Sequence, residues 1–316
     1  MSTTTVPQEY CGRLLRAGNT NCAGCGMSLS LQFIEQALGG DDLPMMVIPA
    51  CCGIVTAGQF PTSAYGVPVA ASTFASAPAV ATGLSVVASL NDEDHLVMCW
   101  TGDGGTYDIG IATLSAAAER NENMIYVCYD NEIYGNTGGQ RSSATPEGVK
   151  TTTTPYGKTE TKKDIMGIMA AHRIPYAATL SVAHRDDFIA KFRRARRIRG
   201  FRFFHVLSPC PTGWKSEPGE SVDLIQLAVR SGLFPVYEVF DGVRHRINVR
   251  PDGTPVEEYM KRQRRYQSAL AVPDRVKERS RRREAGAVDP EHIKAGIKAQ
   301  WEYLEAMEKA FPVGEE

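Results

Sequence analysis

The stretch that decides the fold is residues 96–136, LVMCWTGDGGTYDIGIATLSAAAERNENMIYVCYDNEIYGN. Its first apolar run predicts a strand at Leu96–Trp100, and its second predicts a strand at Met124–Tyr129. Glycines within 102–105 predict a turn between the first strand and a helix from about Ile109 to Arg120. A strand–helix–strand unit returns the chain to the same edge of a parallel sheet. The segments that follow the two strands are therefore expected to lie close together.

Strands alternate with helices on both sides of this unit, which predicts an α/β fold with a mostly parallel, doubly wound sheet. Further strands are predicted at Met45–Pro49, Tyr176–Thr179 and Phe201–Leu207. Further helices are predicted at Ser28–Leu38, Ala77–Leu90, Lys163–Ala171, Arg185–Arg199 and Asp223–Gly232. We assign residues 1–233 to this α/β domain.

Residues 234–316 are predicted to form a C-terminal extension that makes subunit contacts. A hairpin is expected near Pro235–Val249, with its turn at Asp241 and Gly242. Helical stretches are expected after it at Glu257–Ser268, at Val276–Glu284, and from about Asp289 to Ala310.

Composition and charge narrow the function classes. The 316 residues carry a formal net charge of -1, which gives no reason to expect nucleic acid or an anionic membrane as a partner. No run approaches the roughly 18 consecutive apolar residues that a membrane span needs. The first 12 residues lack the basic start and apolar core of a secretory signal. A cytoplasmic protein is expected, in which cysteines do not form structural disulfides.

Asp103 follows the first strand of the deciding stretch, and Asn131 follows the second strand 28 positions later. The glycine turn around Asp103 exposes backbone N–H groups at a helix N-terminus, where an anionic diphosphate is stabilised. A carboxylate in that turn can hold Mg²⁺, which prefers oxygen ligands and bridges to phosphate. The pair therefore indicates a metal–diphosphate site, with an ordinary β-turn as the alternative for the glycine segment.

Seven of the eight cysteines fall into two groups, and Cys11 is assigned no role. Cys99 and Cys128 lie inside the apolar runs and are expected to be buried core residues. The second group comprises the C-x-x-C pair Cys22 and Cys25, the adjacent Cys51 and Cys52 after a strand, and Cys210, which precedes a proline. Four thiolates suit either Zn²⁺ or a [4Fe–4S] cluster, and the ligand type does not separate the two.

Three sequence boxes together resemble the β subunit of pyruvate:ferredoxin oxidoreductase and its relatives, the 2-oxoacid:ferredoxin oxidoreductase family. They are CAGCG at 22–26, GDGGTYDIG at 102–110 followed by NEIYGNTGGQRSSATP at 131–146, and LSPCPTGW at 207–214. The resemblance continues weakly through residues 233–239 and 256–266. It implies an α/β fold of the thiamine-diphosphate-binding type. It also favours a [4Fe–4S] cluster over zinc, because such enzymes need a one-electron acceptor near the thiamine.

The resemblance implies roles for individual residues. It assigns Mg²⁺ to Asp103, the side chain of Asn131 and the backbone oxygen of Ile133. It places the thiamine cofactor against Cys52, Gly102, Asp103, Gly104, Gly105, Asn131, Ile133, Tyr134 and Asn136. It assigns the cluster to Cys22, Cys25, Cys52 and Cys210, with Cys51 as the alternative third ligand. Asn136 is implied to point toward the substrate, with a structural Asx turn as the alternative.

The reaction implied by the resemblance is the oxidative decarboxylation of a 2-oxoacid to an acyl-coenzyme A. Electrons are expected to pass through the cluster to ferredoxin, or through a flavin subunit to NAD. Gly135 and Gly139 could leave room for a bulkier 2-oxoacid, either branched or aryl like phenylglyoxylate. Such substrates and pyruvate-like substrates are ranked equally, and oxalate is ranked third. A non-redox thiamine decarboxylase or synthase subunit with a structural zinc is the competing hypothesis.

Thiamine enzymes also need a glutamate that activates the aminopyrimidine ring, and this sequence offers no second candidate domain for that role. An α subunit is therefore expected to supply the glutamate and substrate-binding residues. Subunits of the γ and ferredoxin-like δ types are expected in the same complex. The polypeptide alone is expected to be inactive.

Overall fold

The computed structural model describes residues 13–39, 42–58, 63–267 and 290–314. Within these ranges eight strands form one sheet in the order β2-β1-β3-β4-β6-β5-β7-β8. They are β1 (Met45–Pro49), β2 (Val69–Ser72), β3 (Val97–Gly102), β4 (Met124–Asp130), β5 (Tyr176–Ser181), β6 (Phe201–Leu207), β7 (Val236–Phe240) and β8 (Arg244–Val249). The first six are parallel, and β7 and β8 add an antiparallel pair at one edge. The predicted mostly parallel α/β sheet is confirmed.

Helices cover both faces of this sheet. They are α1 (Gly26–Leu38), α2 (Cys52–Ala57), α3 (Ala77–Leu90), α4 (Ile111–Glu119), α5 (Ile165–Ala171), α6 (Arg185–Arg197), α7 (Pro211–Trp214), α8 (Ser221–Arg230), α9 (Val256–Lys261), α10 (Arg264–Gln267) and α11 (Pro290–Ala310). A π-helical turn at Gly104–Asp108 follows β3, and a 3₁₀ turn at Pro218–Glu220 precedes α8.

The central strands β3, β4 and β6 are buried along their whole length, as is usual when helices lie on both faces of a parallel sheet. Successive side chains alternate between two apolar cores. Trp100 and Val127 face the core that α1 and α6 cover, whereas Cys99 and Cys128 face the core that α3 and α4 cover. The predicted burial of Cys99 and Cys128 is confirmed, since neither side chain is exposed.

The structure contains elements that the sequence does not predict. Strand β2 pairs in parallel with β1 at the edge of the sheet, and α2 begins at Cys52 directly after Cys51. Strand β3 extends to Gly102, so the first glycine of the predicted turn belongs to the strand. The π-helical turn then delays the start of α4 to Ile111. The helical stretch predicted at Glu257–Ser268 is divided into α9 and α10.

The predicted hairpin in the C-terminal extension is confirmed. Asp241 and Gly242 join β7 to β8, with positive φ angles of 53° and 69°. Because β7 pairs with β5, the hairpin continues the main sheet. The predicted helix at Val276–Glu284 and the predicted first residue of the last helix, Asp289, lie outside the described residues. The division of the chain after residue 233 stays a prediction. Among the described helices, none is long and apolar enough to cross a membrane.

Candidate active site

The carboxyl edge of β3 and β4 brings the two halves of the predicted metal–diphosphate site together. The strands are parallel neighbours, and Gly102 at the end of β3 is paired with Tyr129 near the end of β4. Asp103 therefore leaves the sheet beside Asp130, one residue before Asn131. This is the adjacency that the deciding stretch predicts.

Asp103 is 2% exposed and accepts a hydrogen bond from the Ser142 hydroxyl. Burial, followed by the charge of the adjacent Asp130, raises the pKa of Asp103 well above its ordinary value. A buried carboxylate is stabilised by a proton or by a cation. Asp103 is thus chemically suited to a divalent metal.

Asn131 and Ile133 lie in a tight loop after β4. The Asn131 side-chain oxygen accepts a hydrogen bond from the Ile133 N–H at 3.2 Å, and the Asn131 backbone oxygen accepts one from Trp214 Nε1 at 2.8 Å. Between them, Glu132 has a φ of 63°, in the left-handed region that non-glycine residues rarely adopt. The loop has a defined shape that depends on its neighbours.

The glycine turn after β3 packs directly beneath this loop. A Cβ added to Gly104 would lie 1.9 Å from Cε1 of Tyr134, so a side chain larger than hydrogen does not fit there. The Tyr134 hydroxyl donates a hydrogen bond of 2.7 Å to Asp108, which lies on the π-helical turn. Gly105 has looser surroundings, because an added Cβ would meet its neighbours at 3.5 Å or more.

The two distant cysteine boxes meet at the same edge of the sheet. The Gly26 N–H donates a hydrogen bond of 3.0 Å to the Pro209 carbonyl, and a Cβ at Gly26 would lie 2.3 Å from Pro209 Cδ. The turn that carries Cys22 and Cys25 therefore rests on the segment that carries Cys210. Cys210 Sγ in turn accepts a hydrogen bond of 3.4 Å from the Gly213 N–H.

Cys52 links this cysteine neighbourhood to the loop after β4. Its sulfur lies 3.8 Å from the Asn136 side-chain oxygen. Burial, together with the nearby Cys51, Cys210 and Cys25, raises the pKa of Cys52 to about 12. Burial likewise raises the pKa of Cys25 to about 11. The thiols of the two boxes and of Cys52 thus influence one another's ionisation.

Cys51 has a different environment. It is 6% exposed, and burial raises its pKa, while a hydrogen bond with the Tyr129 side chain lowers it. Within residues 13–39, 42–58, 63–267 and 290–314, no three His, Cys, Asp or Glu side chains form a group that could hold a metal ion. The predicted cluster ligands therefore share one neighbourhood without forming a closed site for a single ion.

The sequence does not predict the buried ionic network that lies beneath the loop after β4. Asp130 is ion-paired with Lys162 at 2.7 Å, its carboxylate lies 2.8 Å from His205 Nε2, and it accepts a hydrogen bond of 2.9 Å from Tyr107. Although burial raises its pKa, Lys162 and His205 together hold the pKa of Asp130 below its ordinary value. Lys162 also pairs with Glu132 at 2.9 Å.

The sequence also predicts no role for Arg265. This residue of α10 is 1% exposed and pairs with Glu132 at 2.7 Å. Its guanidinium lies 4.2 Å from the ring centroid of Trp214. The sequence signal that could have found it is the weak continuation of the family resemblance through residues 256–266.

Several known proteins are similar to this chain in sequence. Residues 51–206 match the family described as thiamine pyrophosphate enzyme, C-terminal TPP binding domain. Ketoisovalerate oxidoreductase subunit VorB of Pyrococcus horikoshii is 41% identical over 282 residues, which cover 83% of this chain and 90% of that protein. Pyruvate synthase subunit PorB of Methanothermobacter marburgensis is 40% identical over 268 residues, which cover 83% of this chain and 91% of that protein.

A solved structure shares the fold. It is a 2-oxoglutarate:ferredoxin oxidoreductase from Magnetococcus marinus with 2-oxoglutarate, coenzyme A and succinyl-CoA bound. The TM-score is 0.59 at 22% sequence identity, and the match covers 87% of this chain and 95% of that chain. At this identity the likeness concerns the fold.

Proposed function

This chain belongs to the family of 2-oxoacid:ferredoxin oxidoreductase β subunits that includes VorB and PorB, and we propose that it holds thiamine diphosphate, Mg²⁺ and one [4Fe–4S] cluster. In the proposed reaction a 2-oxoacid is oxidatively decarboxylated to an acyl-coenzyme A. The main support is the 3.8 Å contact between Cys52 and Asn136, because it joins the cysteine neighbourhood to the loop that carries the predicted metal ligands.

The residues at the carboxyl edge fit a metal–diphosphate. Asp103, the Asn131 side chain and the Ile133 backbone oxygen would hold Mg²⁺, and Gly102–Gly105 would line the diphosphate. Asp103 supports this assignment, since burial and the charge of Asp130 raise the pKa of its carboxyl in spite of Lys162, and a metal ion would stabilise the charged form. Thiamine diphosphate, when bound, supplies the electron sink that decarboxylation requires.

The cysteine neighbourhood fits a cluster better than a single ion. A [4Fe–4S] cluster takes one thiolate on each iron, so its ligands lie farther apart than those of one zinc ion. Cys22, Cys25, Cys52 and Cys210 would bind the irons. Cys52 suits the third position better than Cys51. The nearby Cys25 and Cys210 contribute to the raised pKa of Cys52, whereas Cys51 forms a hydrogen bond with the Tyr129 side chain. The cluster, when bound, accepts single electrons for transfer to ferredoxin or to a flavin subunit that reduces NAD.

The absence of a side chain at Gly135 supports a branched or bulkier substrate as an alternative to a pyruvate-like one. A Cβ at this position would lie 3.7 Å from Cys52 Sγ and 3.9 Å from Asn131 Nδ2, so any side chain would enter the space between them. Gly135 is not among the glycines with positive φ, so conformation does not require a glycine there. Gly139 differs, because its φ of 77° is itself a reason for glycine. Of the two glycines, Gly135 is therefore the one that bears on substrate size.

The proposed assembly needs other subunits. Relatives of this chain are named as subunits, and an α subunit would supply the activating glutamate and groups that bind the substrate carboxylate. Glu132 is the acidic side chain inside the loop, and both of its oxygens are engaged by Arg265 and Lys162. It is therefore poorly suited to activate a cofactor. The proposed complex also contains subunits of the γ and ferredoxin-like δ types.

The experiment is substrate-dependent bleaching of cluster absorption in the anaerobically co-purified complex. We test pyruvate, 2-ketoisovalerate, phenylglyoxylate and oxalate, each with coenzyme A. Cys210→Ser is expected to remove about four irons per copy of this chain and to abolish bleaching, and Cys52→Ser is expected to do the same. The matched control is Cys99→Ser, which changes a core cysteine. Zinc in place of iron, with no bleaching by any acid, would favour the non-redox alternative.

A further inference from the structure

The loop that carries the predicted metal ligands is held in an unusual backbone conformation. Glu132, between Asn131 and Ile133, has a φ of 63°. A non-glycine residue in this region is disfavoured by contact between its Cβ and the backbone, so it persists only where surrounding contacts enforce it. The conformation lets the Asn131 side chain accept the Ile133 N–H at 3.2 Å.

Contacts to Glu132 explain how the conformation is enforced. The side chain is 5% exposed, and one carboxylate oxygen is 2.7 Å from Arg265 Nη2 while the other is 2.9 Å from Lys162 Nζ. Its N–H donates to Asp130 at 2.9 Å, and its carbonyl accepts from the Thr145 hydroxyl at 2.7 Å. Both ends of the residue are thus fixed by buried partners.

Arg265 reaches the loop by two routes. The first is the ion pair with Glu132. The second passes through Trp214, because the guanidinium stacks on its ring at 4.2 Å and the indole N–H donates to the Asn131 carbonyl at 2.8 Å. Arg265 is itself fixed by Gln263, whose side-chain oxygen accepts from Nε at 2.8 Å, and by the Tyr259 hydroxyl at 3.1 Å.

We propose that Arg265 is a positioning residue for the metal site: it sets the geometry of Asn131 and Ile133 through Glu132 and Trp214. This inference rests on the proposed function of the site. It also gives the C-terminal extension a role inside the chain, because Arg265 lies in α10. Residues behind metal ligands orient them, and their loss typically reduces metal affinity about 10- to 100-fold.

The test measures Mg²⁺–thiamine diphosphate binding by calorimetry in the cofactor-stripped complex. Arg265→Met keeps length and apolar contact with Trp214 but removes the charge, and it should weaken binding about 10-fold or more. Arg265→Lys keeps the charge and should restore part of the affinity. Arg264→Met is the matched control, since Arg264 is an exposed neighbour on α10, and it should bind like the unaltered complex.

A double-mutant cycle with Glu132→Gln separates positioning from general stabilisation. If Arg265 acts through Glu132, the double variant should bind little worse than Arg265→Met alone. Lower thermal stability with unchanged cofactor affinity in Arg265→Met and Arg265→Lys would overturn the proposal. If Arg265→Met does not assemble, unchanged affinity in Arg265→Lys overturns it and reduced affinity supports it. An unaltered complex that binds no Mg²⁺–thiamine diphosphate would instead refute the proposed function.

Discussion

At the scale of single residues, two neighbouring carboxylates have opposite electrostatic environments. Asp103 and Asp130 leave the ends of β3 and β4 side by side. Burial and the charge of Asp130 raise the pKa of Asp103, whereas Lys162 and His205 lower that of Asp130 in spite of burial. Ser142 donates a hydrogen bond to Asp103 but brings no charge. Asp103 is therefore the carboxylate that a metal ion would stabilise most.

Asp103→Asn should affect cofactor binding and stability in opposite ways. The amide keeps the shape of the side chain and removes a poorly compensated buried charge, so the cofactor-stripped complex should unfold at the same or a higher temperature. Stabilisation by Mg²⁺–thiamine diphosphate should disappear, with affinity reduced about 100-fold or more. Thermal unfolding with and without the cofactor measures both effects. Asp223→Asn, an exposed change of the same charge on α8, is the control, and retention of cofactor stabilisation by Asp103→Asn would contradict the metal assignment.

At the scale of elements, strands that carry their own apolar run could be predicted from the sequence. Elements that form only because they pair with or pack on a neighbour could not. Apolar runs predict β3, β4 and β6, because helices cover both faces of these strands. Strand β2 has the sequence VAAS, which carries no strong strand signal, and it forms because β1 offers an edge to pair with. The glycines of Gly102–Gly105 predict a turn, but the sequence does not predict that a π-helical turn continues from it, because that conformation depends on packing.

The glycine turn allows a matched test of close packing. Gly104→Ala would place Cβ 1.9 Å from Tyr134, so one element must shift, and we expect a loss of about 1–3 kcal/mol in unfolding free energy. Gly83→Ala on α3 meets open space and should gain about 0.5–1 kcal/mol. Denaturant unfolding of the complex measures both changes. Cofactor affinity should fall in the first variant only, and equal effects of the two substitutions would show that the turn does not pack as described.

At the scale of the whole molecule, the C-terminal extension is bound to the main domain at several places. Hairpin β7–β8 joins the sheet, Arg265 reaches the loop after β4, and on α11 the Trp301 indole donates to the Gly232 carbonyl at 2.8 Å. Sequence spacing could not reveal the contact between Arg265 and Glu132, since the two residues are 133 positions apart. Subunit contacts by the extension remain a prediction beside this internal role.

The catalytic unit is expected to be the complex, and the isolated chain provides the test. Within the described residues, three carboxylates at the carboxyl edge are engaged: Asp103 by the metal in our proposal, Asp130 by Lys162 and His205, and Glu132 by Lys162 and Arg265. In our proposal, the glutamate that activates the cofactor therefore comes from another subunit. The purified chain, loaded with cofactors, should therefore show no bleaching of its cluster by any 2-oxoacid with coenzyme A. Adding the remaining subunits should restore bleaching, and turnover by the chain alone would show that this polypeptide already contains the activating group.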